Sequence, residues 1–182
     1  MRKIILYIAT SLNGKIADAN GSVAWLEKIP TPDDCDYGFA EFFKSIDTTI
    51  QGNRTYEQVL GWGIDFPYKG KKNYVLTNDP VAKEQEDVEF IPEKHFETIT
   101  SIKKSEGKDI WLIGGGQANT FLLSNGLIDE IHQFIMPIIL PSGIDLFYGK
   151  PAETMLEIID LKRHSSGVVE VRYKVIHSPK PR

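Results

Sequence analysis

The sequence predicts an α/β domain: a mostly parallel central sheet flanked by helices, with a C-terminal antiparallel hairpin. Three observations predict it. Several short runs are apolar almost throughout, as expected of strands covered on both faces. The segments between them place apolar residues at helical spacing and stop at glycine. The final stretch changes to two alternating runs around Ser165-Ser166-Gly167, a hairpin signal.

The strand candidates, in order, are Lys3–Ala9, Asp47–Gly52, Asn73–Thr77, Val88–Ile91, Asp109–Gly114 and Glu130–Leu140, followed by the hairpin Glu157–Ile176. The helix candidates are Asp36–Ile46, with Phe39, Phe42, Phe43 and Ile46 on one stripe, then Arg54–Gly61, His95–Gly107 and Gln117–Gly126. The β-α-β-α order points to one domain over residues 1–178, with 179–182 as a flexible tail. Gly61–Lys72 reads as a Gly/Pro-rich loop inside that domain.

Composition narrows the function classes. An apolar fraction of 41% and a charged fraction of 25% are ordinary for a soluble globular protein. The formal net charge of -4 argues against nucleic acid as the main partner. No run approaches the ~20 apolar residues that span a bilayer. The N-terminal apolar run is short, β-branched and broken by Ser11-Leu12-Asn13-Gly14-Lys15, so it reads as a strand and not as a leader. A cytoplasmic protein without a membrane partner is expected. The single cysteine, Cys35, excludes an internal disulfide and a cysteine-built zinc site, and no metal is expected.

The stretch DIWLIGGGQANTFLL, Asp109–Leu123, carries the main functional signal. Gly114-Gly115-Gly116 closes a strand and opens a helix. Such a place suits a pyrophosphate, because helix N-terminal amides attract anions and absent side chains allow close approach. A tight turn needing positive φ explains the same residues. A second strand-to-helix turn has Gly52, Arg54 and Thr55, and a third strand ends in Thr77 and Asn78. Ligands of open α/β sheets bind at the carboxyl ends of strands, so these turns belong together. At the end of the first run, Ala9 leaves room for a flat ring. Lys15 is either a turn residue or a charge aimed into the cleft, and Trp25 either packing or a pocket wall.

The segments YIATSLNGKIAD, GNRTYEQVLG, YVLT, IWLIGGGQANTFLLSNGLIDEI and PIIL…GIDLF, in this order from Lys3 to about Phe147, resemble the dihydrofolate reductase-like superfamily. The chain is most similar to the stand-alone branch related to the C-terminal reductase domain of the riboflavin-biosynthesis deaminase/reductase. The resemblance implies a dihydrofolate reductase-like fold, a homodimer and an NADPH-dependent reductase, with NADH also admissible. It implies that Ala9 and Ile16 border the nicotinamide and that Gly52, Arg54 and Thr55 meet phosphates. Leu76, Thr77 and Asn78 would flank the adenosine end, and Gly114, Gly115, Gly116, Gln117 and Ala118 the pyrophosphate. Lys15 and Trp25 fall on the substrate side. Asp36 is the acid in the region that holds the pterin in dihydrofolate reductases, with Glu41 nearby; Asp33, Asp34 and Asp36 read equally as helix caps.

Two positions that are often basic in the family are Asn53 and Asn78 here, which leaves Arg54 to meet a 2′-phosphate. Lys15, Arg54 and the lysines within Lys69–Lys72 are candidates for a substrate phosphate. The zinc-deaminase constellation of the bifunctional relative cannot be assembled with one cysteine. The expected substrate is a small pyrimidine- or pterin-like heterocycle: 5-amino-6-(5-phosphoribosylamino)uracil first, dihydrofolate second. A nucleotide-binding homodimer without catalysis is the alternative from another class.

Overall fold

The computed structural model describes residues 1–32, 35–79 and 86–177. In chain order the elements are β1 (Ile4–Ser11), β2 (Lys15–Ala17), a 3-10 helix (Ala24–Lys28), α1 (Phe39–Ser45), β3 (Ile46–Gly52), α2 (Asn53–Leu60), β4 (Lys72–Leu76) and β5 (Val88–Ile91). Then follow α3 (His95–Lys104), β6 (Asp109–Gly114), α4 (Gly116–Ser124), β7 (Glu130–Met136), β8 (Ile144–Asp145), β9 (Met155–Arg163) and β10 (Val169–Ile176). Eight strands form one sheet in the order β5-β4-β3-β6-β1-β7-β10-β9, and β2 pairs with β8 in a small second sheet. The pairings from β5 to β7 are parallel, while β10 is antiparallel to both β7 and β9. The expected mostly parallel sheet with an antiparallel hairpin is therefore what forms.

Alternation along β1 shows why its sequence is apolar throughout. Ile4, Leu6 and Ile8 join Ile110, Leu112, Ile99, Leu122 and Leu123 on the α3/α4 face. Ile5 and Tyr7 join Trp111, Phe42 and Val59 on the α1/α2 face. Both faces are covered, so both parities must be apolar. On the second face Tyr7 stacks on Phe42 at 4.2 Å between centroids and meets Trp111 edge-on at 6.3 Å.

Boundaries moved for local reasons. β7 stops at Met136, short of the expected Leu140, because Pro137 has no N–H for a ladder. α1 starts at Phe39, after the expected Asp36, because Tyr37 and Gly38 hold φ of 53° and 81°, outside the helical region. β2, β8 and the 3-10 helix were not expected; each is too short to carry a periodic pattern. The expected tail, 179–182, lies outside the described residues, and Cys35 is a free thiol. No helix among the described residues is long and apolar enough to cross a membrane.

At the amino-terminal end of the strands, Lys103 of α3 is buried. Its ammonium donates to the Leu127 carbonyl at 2.9 Å and pairs with Asp129 at 2.6 Å. Asp129 also accepts from the Ile4 amide at 2.8 Å, so one lysine ties α3 to the start of β1 and β7. Lys103→Ala removes the lysine partner of a part-exposed carboxylate, and urea unfolding should show a loss of about 2 kcal/mol. Ligand affinity at the opposite end of the sheet should not change.

Candidate functional site

β3 and β6 are adjacent at the centre of the sheet, and their carboxyl ends run directly into α2 and α4. The N-cap residues are Gly52 and Gly115. Neither helix has a side-chain cap, and neither carries an acidic residue in its first turn. By contrast, α1 and α3 carry Glu41 and Glu97 there. Uncapped amides and an unopposed helix dipole favour an anion. The two turns also meet: a Cβ added at Gly52 would lie 3.9 Å from both the Ala118 Cβ and the Gly114 carbonyl oxygen. Arg54 is exposed in the first turn of α2 and has no hydrogen bond or ion pair among the described residues. Neighbouring Asn53 turns instead to Glu57, at 2.8 Å.

The three consecutive glycines are required for three different reasons. Gly114 has φ of 122°, which excludes an ordinary L-residue without strain. The peptide that joins it to Gly115 is cis. Gly115 is extended, at φ -77° and ψ -163°, so conformation does not demand glycine there. Its missing Cβ faces Thr55 Oγ1 at 3.2 Å and Ile16 Cδ1 at 3.9 Å, so a methyl would narrow the crevice between α2 and β2. At Gly116 a Cβ would strike the Asp145 carbonyl oxygen at 2.3 Å. Gly116 is thus a packing residue, on which the segment after β8 lies directly.

That segment is fastened at several points. Tyr148 donates its amide to the Gly116 carbonyl, Leu146 to the Gly14 carbonyl, and Asn119 Nδ2 holds the Leu146 carbonyl at 2.8 Å. Lys15 pairs with Asp145 at 2.5 Å across the β2–β8 ladder. The sequence expectation left Lys15 free to reach a ligand; in the fold it already has an acidic partner.

On the ring side, Ala9, Trp25, Tyr37 and Phe134 share one cluster. Trp25 is buried, and its indole N–H has no acceptor among the described residues. Leu76 lies opposite Gly52 in the β3–β4 register. Thr77 is buried and accepts from the Asp79 amide at 3.0 Å, whereas Asn78 is exposed. Gln117 is exposed in the first turn of α4, and Ala118 is buried beside Gly52. Asp36 is exposed and accepts from the amides of Gly38 and Ala40, each at 2.8 Å, just before α1. The Ala40 and Gly38 amides hold its carboxyl below the usual range, so it stays ionised. Asp33 and Asp34 lie outside the described residues.

One expectation is corrected by topology. Lys69, Lys71 and Lys72 precede or open β4 and therefore sit at the amino-terminal end of the strands, away from the crevice. Lys69 pairs with Asp65 at 3.1 Å, and the Lys71 ammonium donates to the carbonyls of Phe43 and Ile46. A shallow hollow of about 290 Å³ between Tyr56, Phe66, Lys69 and Val88 is at that same distant end. Gln51 and Asn119 were missed by sequence reasoning. Both are fully buried beside the turns; both amide atoms of Gln51 and the Asn119 Oδ1 lack a partner among the described residues. A lone Gln in a strand and a lone Asn in a helix give no sequence signal. Among the described residues no three His, Cys, Asp or Glu side chains cluster as metal ligands.

The glycine assignments predict losses of different size for neighbouring substitutions. Gly116→Ala should lower unfolding free energy by about 2–3 kcal/mol, because backbone must move. Gly115→Ala should cost less than about 1 kcal/mol, since only a side-chain hydroxyl and a methyl must give. Urea denaturation of the two variants distinguishes them.

Known proteins share this architecture. Residues 68–170 match the family model of the RibD C-terminal domain. The uncharacterized protein YwjB of Bacillus subtilis (strain 168) is 36% identical over 167 residues, which covers 92% of this chain and 95% of that one. YyaP of the same organism is 32% identical, with 94% of each chain covered. A crystal structure from Shewanella sp. PV-4, of a protein provisionally named for riboflavin biosynthesis, superposes with a TM-score of 0.86 at 29% identity, over 97% of this chain and 100% of that one. The bifunctional deaminase and 5-amino-6-(5-phosphoribosylamino)uracil reductase of Thermotoga maritima superposes with a TM-score of 0.73 at 17% identity, over 96% of this chain and 57% of that one. That likeness is one of fold alone. With the parallel sheet, the paired glycine turns and these matches together, the chain belongs to the RibD C-terminal domain family, whose fold is dihydrofolate reductase-like.

Proposed function

We propose that this protein is an NAD(P)H-dependent reductase of a pyrimidine- or pterin-like heterocycle. The first substrate to test is 5-amino-6-(5-phosphoribosylamino)uracil, and the second is dihydrofolate. The observation that carries the reading is the meeting of two uncapped, acid-free helix N-termini beside Arg54, which has no partner among the described residues. Family membership and the reductase named among the solved relatives support it.

The residues fit a dinucleotide. The crevice that a Cβ at Gly115 would narrow suits a pyrophosphate, held by the first amides of α2 and α4 with Thr55 as a hydroxyl donor. Arg54 supplies the charge for a 2′-phosphate, because Asn53 and Asn78 are neutral. Leu76, Thr77 and Asn78, at the end of the strand next to β3, would flank the adenosine. Ala9 and Ile16 would flank the ring, with Gln117 and Ala118 closing the phosphate side. A bound reduced nicotinamide supplies a hydride for C=N or C=O.

In this reading the chain's own work is binding and orientation. Trp25 offers its buried indole N–H to the heterocycle, while Phe134 and Tyr37 complete an apolar wall that excludes water. Asp36 stays ionised and anchors the approach to α1. Lys15 holds Asp145 and so fixes the wall formed by the segment after β8.

Fluorescence titration tests the reading. NADPH should bind saturably and more tightly than NADH. Arg54→Ala should weaken NADPH about tenfold, the scale of one charge-assisted contact, and leave NADH nearly unchanged. NADPH should be oxidised when one of the two heterocycles is supplied. Binding without oxidation by either would favour a nucleotide-binding module, and no saturable binding would overturn the reading.

A further inference from the structure

Asn119 is the one fully buried polar side chain of α4; the other buried side chains of that helix are Ala118, Leu122 and Leu123. Alanine or leucine would suit both the helix and the core better. Its backbone N–H closes the first turn of α4 on the Gly115 carbonyl at 2.9 Å, which places the side chain one turn from the three glycines. One end of the carboxamide is accounted for. Nδ2 donates to the Leu146 carbonyl at 2.8 Å, and the Leu146 amide is itself fixed on the Gly14 carbonyl at 2.9 Å. The other end is not: Oδ1 has no donor among the described residues. Exchanging the two ends gives no relief, because Oδ1 would then face the Leu146 carbonyl, acceptor against acceptor. A buried acceptor left without a donor costs stability, so it needs a reason.

The position of Oδ1 supplies one. A Cβ added at Gly114 would lie 3.5 Å from Asn119 Oδ1, 3.7 Å from its Nδ2 and 3.7 Å from Ile8 Cδ1. The carboxamide is therefore beside the last residue of β6 and the side chain of Ile8 on β1. The residue that follows each of these borders the crevice. At Gly115 a Cβ would meet Ile16 Cδ1 at 3.9 Å, and Ala9 joins the cluster of Trp25 and Phe134. Oδ1 is thus an acceptor on the α4 side, next to the residues that the dinucleotide reading puts at the ring, Ala9 and Ile16. A carbonyl oxygen repels a phosphate, so the partner it suits is a neutral donor.

We infer that Asn119 Oδ1 accepts a hydrogen bond from the carboxamide N–H of a bound nicotinamide. The inference rests on the dinucleotide reading above and deepens it. That amino group is the only N–H donor at the ring end of the dinucleotide. The ribose hydroxyls beside it are the other donors, and the ionised phosphates offer acceptors only. With its carboxamide held at one edge, the ring cannot turn over about its bond to the ribose without losing the contact, so one face is presented to the substrate. Through Nδ2 the same side chain holds the wall at Leu146, and so it sets both the crevice and the ring that lies in it.

Calorimetric titration of the full chain with NADPH and with its reduced 3-acetylpyridine analogue tests it. The analogue carries a methyl group in place of the carboxamide amino group and keeps the ribose hydroxyls and phosphates. The wild type should bind NADPH about tenfold more tightly than the analogue, the scale of one hydrogen bond to a buried acceptor. Asn119→Leu should lose that preference and bind the two dinucleotides equally, which isolates the pair as in a double-mutant cycle. Asn119→Ala serves if the larger side chain unfolds the protein, as near-UV circular dichroism would show. Equal affinities in the wild type, or a preference that survives in the variant, would overturn the assignment to Asn119 and leave the dinucleotide reading standing. A wild type that binds neither dinucleotide would overturn both.

Discussion

The parallel pairing of β3 with β6 governs the rest of the site. It brings two strand-to-helix turns to the same end of the sheet, so that Gly52 and Gly114 lie within van der Waals distance of a shared space. Each helix therefore begins at this same end of the sheet, beside its neighbour's turn. Two partial positive ends side by side are unfavourable unless something negative lies between them. The chain does not supply it: no side chain caps either helix, and no Asp or Glu stands in either first turn. The local electrostatics remain unbalanced in a way that an anion corrects.

The second constraint is the wall opposite. The segment that follows β8 rests on Gly116, is held by Asn119 and is tied to β2 by Lys15 and Asp145. This fixes the distance between β2, which carries Ile16, and the start of α4. The consecutive glycines therefore combine a conformational need, a width for the crevice and a packing contact in one turn. Substitution effects there should differ residue by residue, and reading the motif as a uniform phosphate loop would miss this.

Much of the architecture was legible because both faces of the sheet are covered. Coverage forces runs such as Ile4–Ile8 to be apolar in both parities, and helices must then punctuate them. The hairpin was legible from alternation in Val169–Ile176. A bulge at Ile159 was not, because only the register with β10, with Asp160 opposite Arg172 but Ile158 opposite Tyr173, reveals it. The glycine turns were legible as a group, but their separate reasons were not. The position of Asp145 against Gly116 depends on a loop far away in sequence. Lys15 and the lysines before β4 show the same limit, since a charge in sequence has no direction. Strand polarity sends Lys69, Lys71 and Lys72 to the wrong end of the sheet, and Asp145 claims Lys15. Asp36 was open to two readings in the sequence, an acid near the ligand or a helix cap, and the fold shows it accepting from two amides ahead of α1.

The most direct measurement is an amide-resolved NMR titration of the labelled protein with NADP⁺. The expected result is saturable shifts of the Asn53, Arg54 and Thr55 amides together with those of Gly115, Gly116 and Gln117, all fitting one affinity. Saturable shifts confined to other residues, or to only one of the two turns, would contradict a site built from both helix termini.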